Sequence, residues 1–358
     1  MSAADDEPTA MSGSKPSLVL LGATGYAGLE ALRLLRAHPQ FALTAVASRQ
    51  RTGRDLAEEM PALAAGGLPQ LERADELDWA RYDAVLSALP HGSAAEILRA
   101  VPPQVRVVDM SADFRLKDAA LYERTYGRPH AAPDLLPQAV YGLSEWNREE
   151  IAAARLVACP GCYPTASLLL LLPLVRAGLL EAEDIIIDAK SGVSGAGRAA
   201  AEERLFCEVG ESAAPYALAS HRHVPEIEAA LRDATKASVG ISFTPHLLPM
   251  NRGELVTIYA RLAPKQTLSA VREALDAAYA KSPFVHCLKG DALPSTRQVR
   301  GSNHCLLGAY ADRLPQRVIL IGVLDNLVKG AAGQAIQNLN LMFGFAEDAG
   351  LKGAPLFP

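Results

Sequence analysis

Ser17-Leu18-Val19-Leu20-Leu21-Gly22-Ala23-Thr24-Gly25-Tyr26-Ala27-Gly28-Leu29 is the stretch on which the fold turns. Ser17 to Leu21 is short, apolar and closed by a glycine, which reads as a buried strand. Apolar residues then recur at Leu29, Leu32 and Leu35, so a helix is expected over Ala27 to Ala37. In a strand, glycine turn and helix of this kind, the backbone N–H groups at the helix start face an anion, and glycine lets the backbone approach it. Gly22, Thr24, Gly25, Tyr26, Ala27 and Gly28 are thus candidates for holding a dinucleotide pyrophosphate. A turn that merely needs positive φ would not require a strand before it and a helix behind it.

Outward from this unit, apolar runs follow at Phe41 to Ala47, Ala84 to Leu89 and Val105 to Val108, with a helical pattern at Ala94 to Ala100. Strands alternating with helices imply a parallel sheet covered on both faces, an α/β fold of the Rossmann type. The second run ends in Ala47-Ser48-Arg49, about 20 residues past the last glycine, where an NAD enzyme places an acid for the ribose hydroxyl. A hydroxyl and a guanidinium suit a 2'-phosphate instead, so NADP is the expected cofactor, held in part by Ser48 and Arg49. From residue 159 the texture changes. Ser238 to Phe243, Glu254 to Leu262, Leu306 to Ala311 and Arg317 to Leu324 read as strands with fewer helices between them, an α+β domain on a mixed sheet. The expected division is a disordered leader at 1–16, a nucleotide domain at 17–158, a catalytic and dimerisation domain at 159–326, and a last helical stretch, Leu327 to Phe343, in the tail 327–358. The segments 61–69 and 127–137, rich in glycine and proline, are expected to be surface loops.

Composition narrows the function. The 358 residues carry 35 basic and 40 acidic side chains, a net charge of -5, so no basic excess draws the chain to nucleic acid or anionic lipid. The longest apolar run, Leu168 to Val175, is far short of the roughly 20 residues of a membrane span and contains Pro173; it reads as a buried helix. Five cysteines, an odd number, fit reduced thiols in a cytoplasmic protein better than a disulfide framework.

Cys159-Pro160-Gly161-Cys162-Tyr163-Pro164-Thr165 leads into that buried helix. Cys162 would stand at the helix N-terminus, where the dipole favours a thiolate nucleophile. Cys159 and Cys162 also have the spacing of a dithiol pair, but a thioredoxin-like site needs a small domain of its own. His221-Arg222-His223-Val224-Pro225 opens a further helix. The two histidines and two cysteines do not have zinc-finger spacing, so no metal is expected, and a general acid/base histidine beside an anion-binding Arg222 is the better use. Arg115, in Ser111-Ala112-Asp113-Phe114-Arg115, offers a second guanidinium at the carboxyl end of a strand, unless it pairs with Asp109 or Asp113. Ser191-Gly192-Val193-Ser194-Gly195-Ala196-Gly197-Arg198 is a second glycine loop, close to the cofactor or merely flexible.

Taken in order, the glycine turn, Ala-Leu-Pro-His-Gly (88–92), Ala-Asp-Phe-Arg (112–115), Tyr-Gly-Leu-Ser-Glu (141–145), Pro-Gly-Cys-Tyr-Pro-Thr (160–165), the 191–198 loop, His-Arg-His-Val-Pro-Glu-Ile (221–227) and Asp-Asn-Leu-Val-Lys-Gly-Ala-Ala-Gly-Gln-Ala (325–335) resemble the N-acetyl-gamma-glutamyl-phosphate reductases of arginine biosynthesis. The resemblance implies NADPH reduction of an acyl phosphate to the semialdehyde through a cysteine thioester. It also implies Cys162 as nucleophile, His223 as acid/base with His221 as second choice, and Arg115 and Arg222 gripping phosphate and carboxylate. Leu89, Pro90, Ser191, Gly192 and Asn326 would meet the cofactor, Ser191 the substrate as well, and the chain would act as a homodimer or homotetramer. An aspartate-semialdehyde dehydrogenase is the sister alternative; a thiol hydrolase would leave the nucleotide turn unexplained, and a non-catalytic NADP sensor would not need Cys162. Two positions depart from the family pattern, Cys159 and Ser144. Cys159 could close a redox switch on Cys162 or could simply pack in the core.

Overall fold

The computed structural model describes residues 14–48, 56–64 and 67–356. Most of the expected leader, up to residue 13, lies outside them, and so does Arg49. Two seven-stranded sheets organise the chain. The first comprises β1 (Ser17–Leu21), β2 (Ala42–Ser48), β3 (Leu71–Arg73), β4 (Ala84–Ser87), β5 (Arg106–Asp109), β6 (Ala139–Tyr141) and β7 (Leu156–Ala158), in the order β3-β2-β1-β4-β5-β7-β6. Every pairing in it is parallel. Leu18 and Leu20 enter one apolar cluster and Val19 and Leu21 another, so both faces are covered and the strands read as unbroken apolar runs.

The second sheet contains β8 (Ile185–Gly192), β9 (Ala214–Pro215), β10 (Ile241–Leu248), β11 (Glu254–Arg261), β12 (Val285–Cys287), β13 (Cys305–Ala311) and β14 (Arg317–Leu324), ordered β12-β13-β14-β11-β8-β10-β9. It is mixed: β8 runs parallel to β10 and antiparallel to β11. Burial alternates along its strands, with Ile187, Val256, Ile258 and Leu320 packed against the helix Cys162–Arg176. That helix is buried along nearly its whole length, as expected. Pro173 removes the N–H that would bond the Leu169 carbonyl, and the Tyr279 hydroxyl donates to that oxygen instead, at 2.5 Å.

Leu327 to Phe343 is helical as expected: a wider first turn, Val328–Ala332, with the Ala332 N–H bonding the Leu327 carbonyl, runs directly into the α-helix Gly333–Met342. Two other expectations about local structure are corrected. Segment 127–137 is not all surface. His130, Ala132 and Leu136 are buried, because His130 bonds the Asp113 carbonyl at 2.7 Å and its ring packs edge-on against Tyr122 and Phe114. In 61–69, Pro61–Ala64 forms a short helix.

Candidate active site

Cys162 is the first residue of its helix, reached by a tight turn from β7 through Cys159, Pro160 and Gly161. The turn is held by a buried carboxylate. Glu226 accepts from the Gly161 N–H at 2.9 Å, the Tyr141 hydroxyl at 2.8 Å and Arg115 Nη1 at 3.1 Å. Arg115 also donates through Nε to the Cys159 carbonyl and through Nη2 to that of Met110, each at 2.9 Å. Arg115 therefore pairs with Glu226, not with Asp109 or Asp113, and these bonds leave two of its five N–H groups. A Cβ on Gly161 would lie 2.5 Å from His223 Nε2 and 2.9 Å from Arg115 Nη1, so only glycine allows the imidazole to sit over this turn.

His223 caps the helix Val224–Thr235 with Pro225 in its first turn, and its backbone N–H bonds His221 Nδ1 at 3.2 Å. The two rings meet edge to face at 4.7 Å. Burial, with the nearby Arg222, pushes His221 down to about 4. Burial, His221, Arg115 and Arg222 hold His223 well below its usual value, and among the described residues its buried Nδ1 has no hydrogen-bond partner. Both imidazoles are neutral at neutral pH. Arg222 itself is exposed and stands 3.2 Å from His91, in the loop after β4.

At the Cys162 thiol the helix start is opposed by its surroundings. Cys162 is pushed well above the usual thiol value, first by burial and then by Glu254, and these outweigh the helix N-terminus and Arg115. Cys159 faces the first domain's core: it is fully buried in that cluster, with its thiol directed to the Ala331 carbonyl. Glu254 was not among the expected residues. It is the first residue of β11, fully buried, and its strand parity puts it on the same face as Val256, Ile258 and Ala260. That parity was the available signal. Gly330 was also missed; a Cβ there would lie 2.7 Å from that of Cys162.

At the nucleotide turn, Gly22 has φ +75, and a Cβ on it would strike the Ala88 carbonyl at 2.6 Å and the Leu89 N–H at 3.0 Å. One on Gly28 would meet the Gly22 carbonyl at 2.1 Å. Gly25 is open by comparison, with its nearest neighbour at 3.7 Å, and no side chain caps the helix Tyr26–Arg36. Bare backbone and uncapped first-turn N–H groups at Tyr26, Ala27 and Gly28 are what a pyrophosphate needs. Thr24 and Ser48 hydroxyls lie 3.5 Å apart, Leu89 is buried, and Pro90 is exposed beside them. The 191–198 loop reaches this turn, since Arg198 donates to the Thr24 carbonyl at 2.9 Å. Asn326 fixes that loop, accepting from the Gly253 N–H at 2.8 Å and donating to Ser194 at 2.9 Å, while Ser191 bonds the Gly192 carbonyl at 3.0 Å. Among the described residues no cluster of three metal-ligating side chains occurs, and no helix is long and apolar enough to cross a membrane.

Comparison with known proteins matches the chain in two parts. The family model "Semialdehyde dehydrogenase, NAD binding domain" matches residues 17–154, and "Semialdehyde dehydrogenase, dimerisation domain" matches 162–326. Among solved structures, the fold is similar to that of aspartate semialdehyde dehydrogenase II from Vibrio cholerae, with a TM-score of 0.71 at 18% identity, covering 93% of this chain and 99% of that one. It is also similar to the Candida albicans aspartate semialdehyde dehydrogenase with NADP, at TM-score 0.66 and 17% identity over 94% and 100%. Sequence relatives are far nearer. The N-acetyl-gamma-glutamyl-phosphate reductase of Rhodospirillum rubrum is 49% identical over 96% of this chain and 99% of its own. A probable chloroplastic one from Arabidopsis thaliana is 49% identical over 95% and 84%. With this identity over nearly its whole length, the chain belongs to the N-acetyl-gamma-glutamyl-phosphate reductase family.

Proposed function

We propose that the chain reduces N-acetyl-gamma-glutamyl phosphate to N-acetyl-glutamate 5-semialdehyde and phosphate, as a step of arginine biosynthesis, through a thioester on Cys162. The observation that carries this reading is Cys162 at a helix start, directly after the Gly161 turn on which the His223 imidazole sits, with the 191–198 loop bonded to the glycine turn through Arg198. An acyl phosphate is already activated, so sulfur displaces phosphate, and the thioester formed accepts hydride far better than a carboxylate would. The nicotinamide cofactor supplies that hydride. Neutral His223 is suited to a hydrogen bond with the acyl oxygen rather than to forming an ion pair with the thiol. Arg115, with two N–H groups left, and the exposed Arg222 are assigned to the phosphate and the carboxylate. The nucleotide site would comprise Gly22 to Gly28, Ser48, Arg49, Leu89, Pro90 and the loop at Ser191 and Gly192, with Asn326 placing that loop. NADP is favoured because Ala47-Ser48-Arg49 offers no acid for a ribose hydroxyl.

The second sheet leaves Ile186, Leu255, Tyr259, Ile319 and Ile321 half-exposed on the face opposite its helices. We assign that face to a second copy of the chain, in a homodimer or a homotetramer built from it, in keeping with the dimerisation domain matched there. Five thiols without disulfides fit a reducing, cytoplasmic setting.

The test is NADPH oxidation with N-acetyl-gamma-glutamyl phosphate beside aspartyl phosphate. Preference for the acetylated substrate is expected. Equal or greater kcat/KM for aspartyl phosphate would overturn the substrate assignment.

A further inference from the structure

A charged side chain is out of place on the buried side of a helix. Glu30, in the helix Tyr26–Arg36, is only 2% exposed and sits among the buried Ala31, Leu34 and Leu35. Two guanidiniums from different parts of the chain hold it. Arg33 of the same helix donates through Nη2 at 2.5 Å, and Arg252, from the second domain, donates through Nη2 at 2.7 Å. A buried ion pair adds little stability over apolar packing of the same volume, but charge-assisted bonds between fixed backbones are satisfied in one alignment only. The Glu30–Arg252 pair is therefore suited to setting the register between the two domains.

What Arg252 carries with it gives that register a use. It lies in the connection 249–253 between β10 and β11, the two strands that flank β8, so the connection passes across the end of β8 where the 191–198 loop leaves the sheet. There the carbonyls of Gly253, Met250 and Asn251 accept from the N–H groups of Gly192 at 2.9 Å, Val193 at 2.9 Å and Ser194 at 3.3 Å. A Cβ on Gly192 would lie 2.8 Å from the Met250 carbonyl oxygen and 2.9 Å from the Arg252 backbone nitrogen, so loop and connection are pressed into one unit. The second guanidinium nitrogen of Arg252, Nη1, lies 3.7 Å from the buried Asp325, next in the chain to Asn326, whose side chain bonds both pieces of that unit. Glu30 itself follows Gly28 by two residues, in the helix that the glycine turn opens.

We propose that Arg252 is a positioning residue for the cofactor: by gripping Glu30 it holds the 191–198 loop at a fixed distance from the glycine turn, so that the two ends of one dinucleotide are met together. The proposal rests on the cofactor reading above, in which the turn takes the pyrophosphate and the loop meets the nicotinamide end. Arg198 ties the same two pieces at the surface, through the Thr24 carbonyl, whereas Glu30 and Arg252 tie them from within. A spacing set before binding removes an ordering cost that the cofactor would otherwise bear. A ligand that reaches only the adenosine end gains nothing from it.

The test compares wild type, Arg252→Met, Arg252→Lys, Glu30→Gln and the Arg252→Met/Glu30→Gln double variant. Titration gives the Kd of NADPH and of adenosine 2',5'-bisphosphate, which lacks the nicotinamide; hydrogen exchange without cofactor reports on the peptides of the 191–198 loop and of β1. In Arg252→Met the Kd of NADPH should rise about 10-fold, that of the bisphosphate should stay within about twofold, and exchange should quicken in the loop but not in β1. The double variant should be no worse than the poorer single one, because both remove one interaction, and Arg252→Lys should recover part of the loss. NADPH binding within about twofold of wild type in Arg252→Met, with loop exchange unchanged, overturns the proposal. So does an equal weakening of both ligands with faster exchange in β1, which would make the pair a support of the nucleotide domain. A wild type that binds the bisphosphate but shows no added affinity for NADPH would instead overturn the reading of the loop on which the proposal rests.

Discussion

Glu226 and Glu254 are both buried at the active site, and their surroundings are opposite. Glu226 accepts from an arginine, a tyrosine and a backbone N–H, and through them it locks the turn that presents Cys162. Among the described residues, neither oxygen of Glu254 has a hydrogen-bond partner. A satisfied buried charge fixes geometry and resists removal; an unpaired buried carboxyl keeps its proton instead. In one corner of the site the carboxyl is held by three hydrogen bonds, and in the other it is buried with none among the described residues.

The largest effect should come from Cys162 itself. Cys162→Ser should lower kcat by about 10,000-fold or more, with NADPH binding, measured by fluorescence titration, nearly unchanged, because the cofactor site proposed at the glycine turn does not include the thiol. Next, Arg115→Met breaks the satisfied corner and leaves Glu226 as an uncompensated buried charge. It should lose about 3–5 kcal/mol in urea denaturation, whereas Glu254→Gln should lose nothing. If the two variants are equally destabilised, the contrast between the corners is wrong.

A smaller effect separates the corners by pH. The folded state holds the Glu254 proton up to about 8, against an ordinary carboxyl value of 4.5, so stability from this group is present below 4.5 and declines as pH rises to 8. His221 acts oppositely, adding stability as pH rises from about 4 to 6.5, and Asp109, raised to about 6 chiefly by burial, has finished by then. Between pH 6.5 and 8 the decline should be on the order of 1.4 kcal/mol per unit at most, and Glu254→Gln should abolish it. Thermal melts across this window check the sign. The smallest effect lies away from both glutamates. Ser144→Ala should cost about 1 kcal/mol, because the hydroxyl bonds Asn338 Oδ1 at 2.6 Å and accepts from Gln334 at 2.8 Å. Those amides explain how the chain accommodates serine there.

The first sheet was legible because its long strands are apolar on both faces, so Leu18 to Leu21 declare themselves without any knowledge of their neighbours. Ala139–Tyr141 and Leu156–Ala158 were not, since three residues carry no period and become strands only by pairing with each other and with β5. Motif and turn chemistry singled out Cys162 and His223, which the fold brings to the two sides of Gly161. The glutamates were harder: Glu226 in the first turn of a helix reads as a dipole-favoured surface acid, and its burial depends on Arg115, over 100 residues earlier in the chain. Glu254 begins a strand, where an acid reads as a solvent-facing end, although its parity with Val256 and Ile258 pointed inward.

The most direct test of the account is to trap its covalent intermediate. Enzyme mixed with N-acetyl-gamma-glutamyl phosphate without NADPH, then quenched in acid and digested, should show the acyl group on the Cys162 peptide, with a burst of about one phosphate per site. Addition of NADPH before the quench should clear it. Full reductive turnover with no adduct on Cys162 and no phosphate burst would contradict the thioester mechanism.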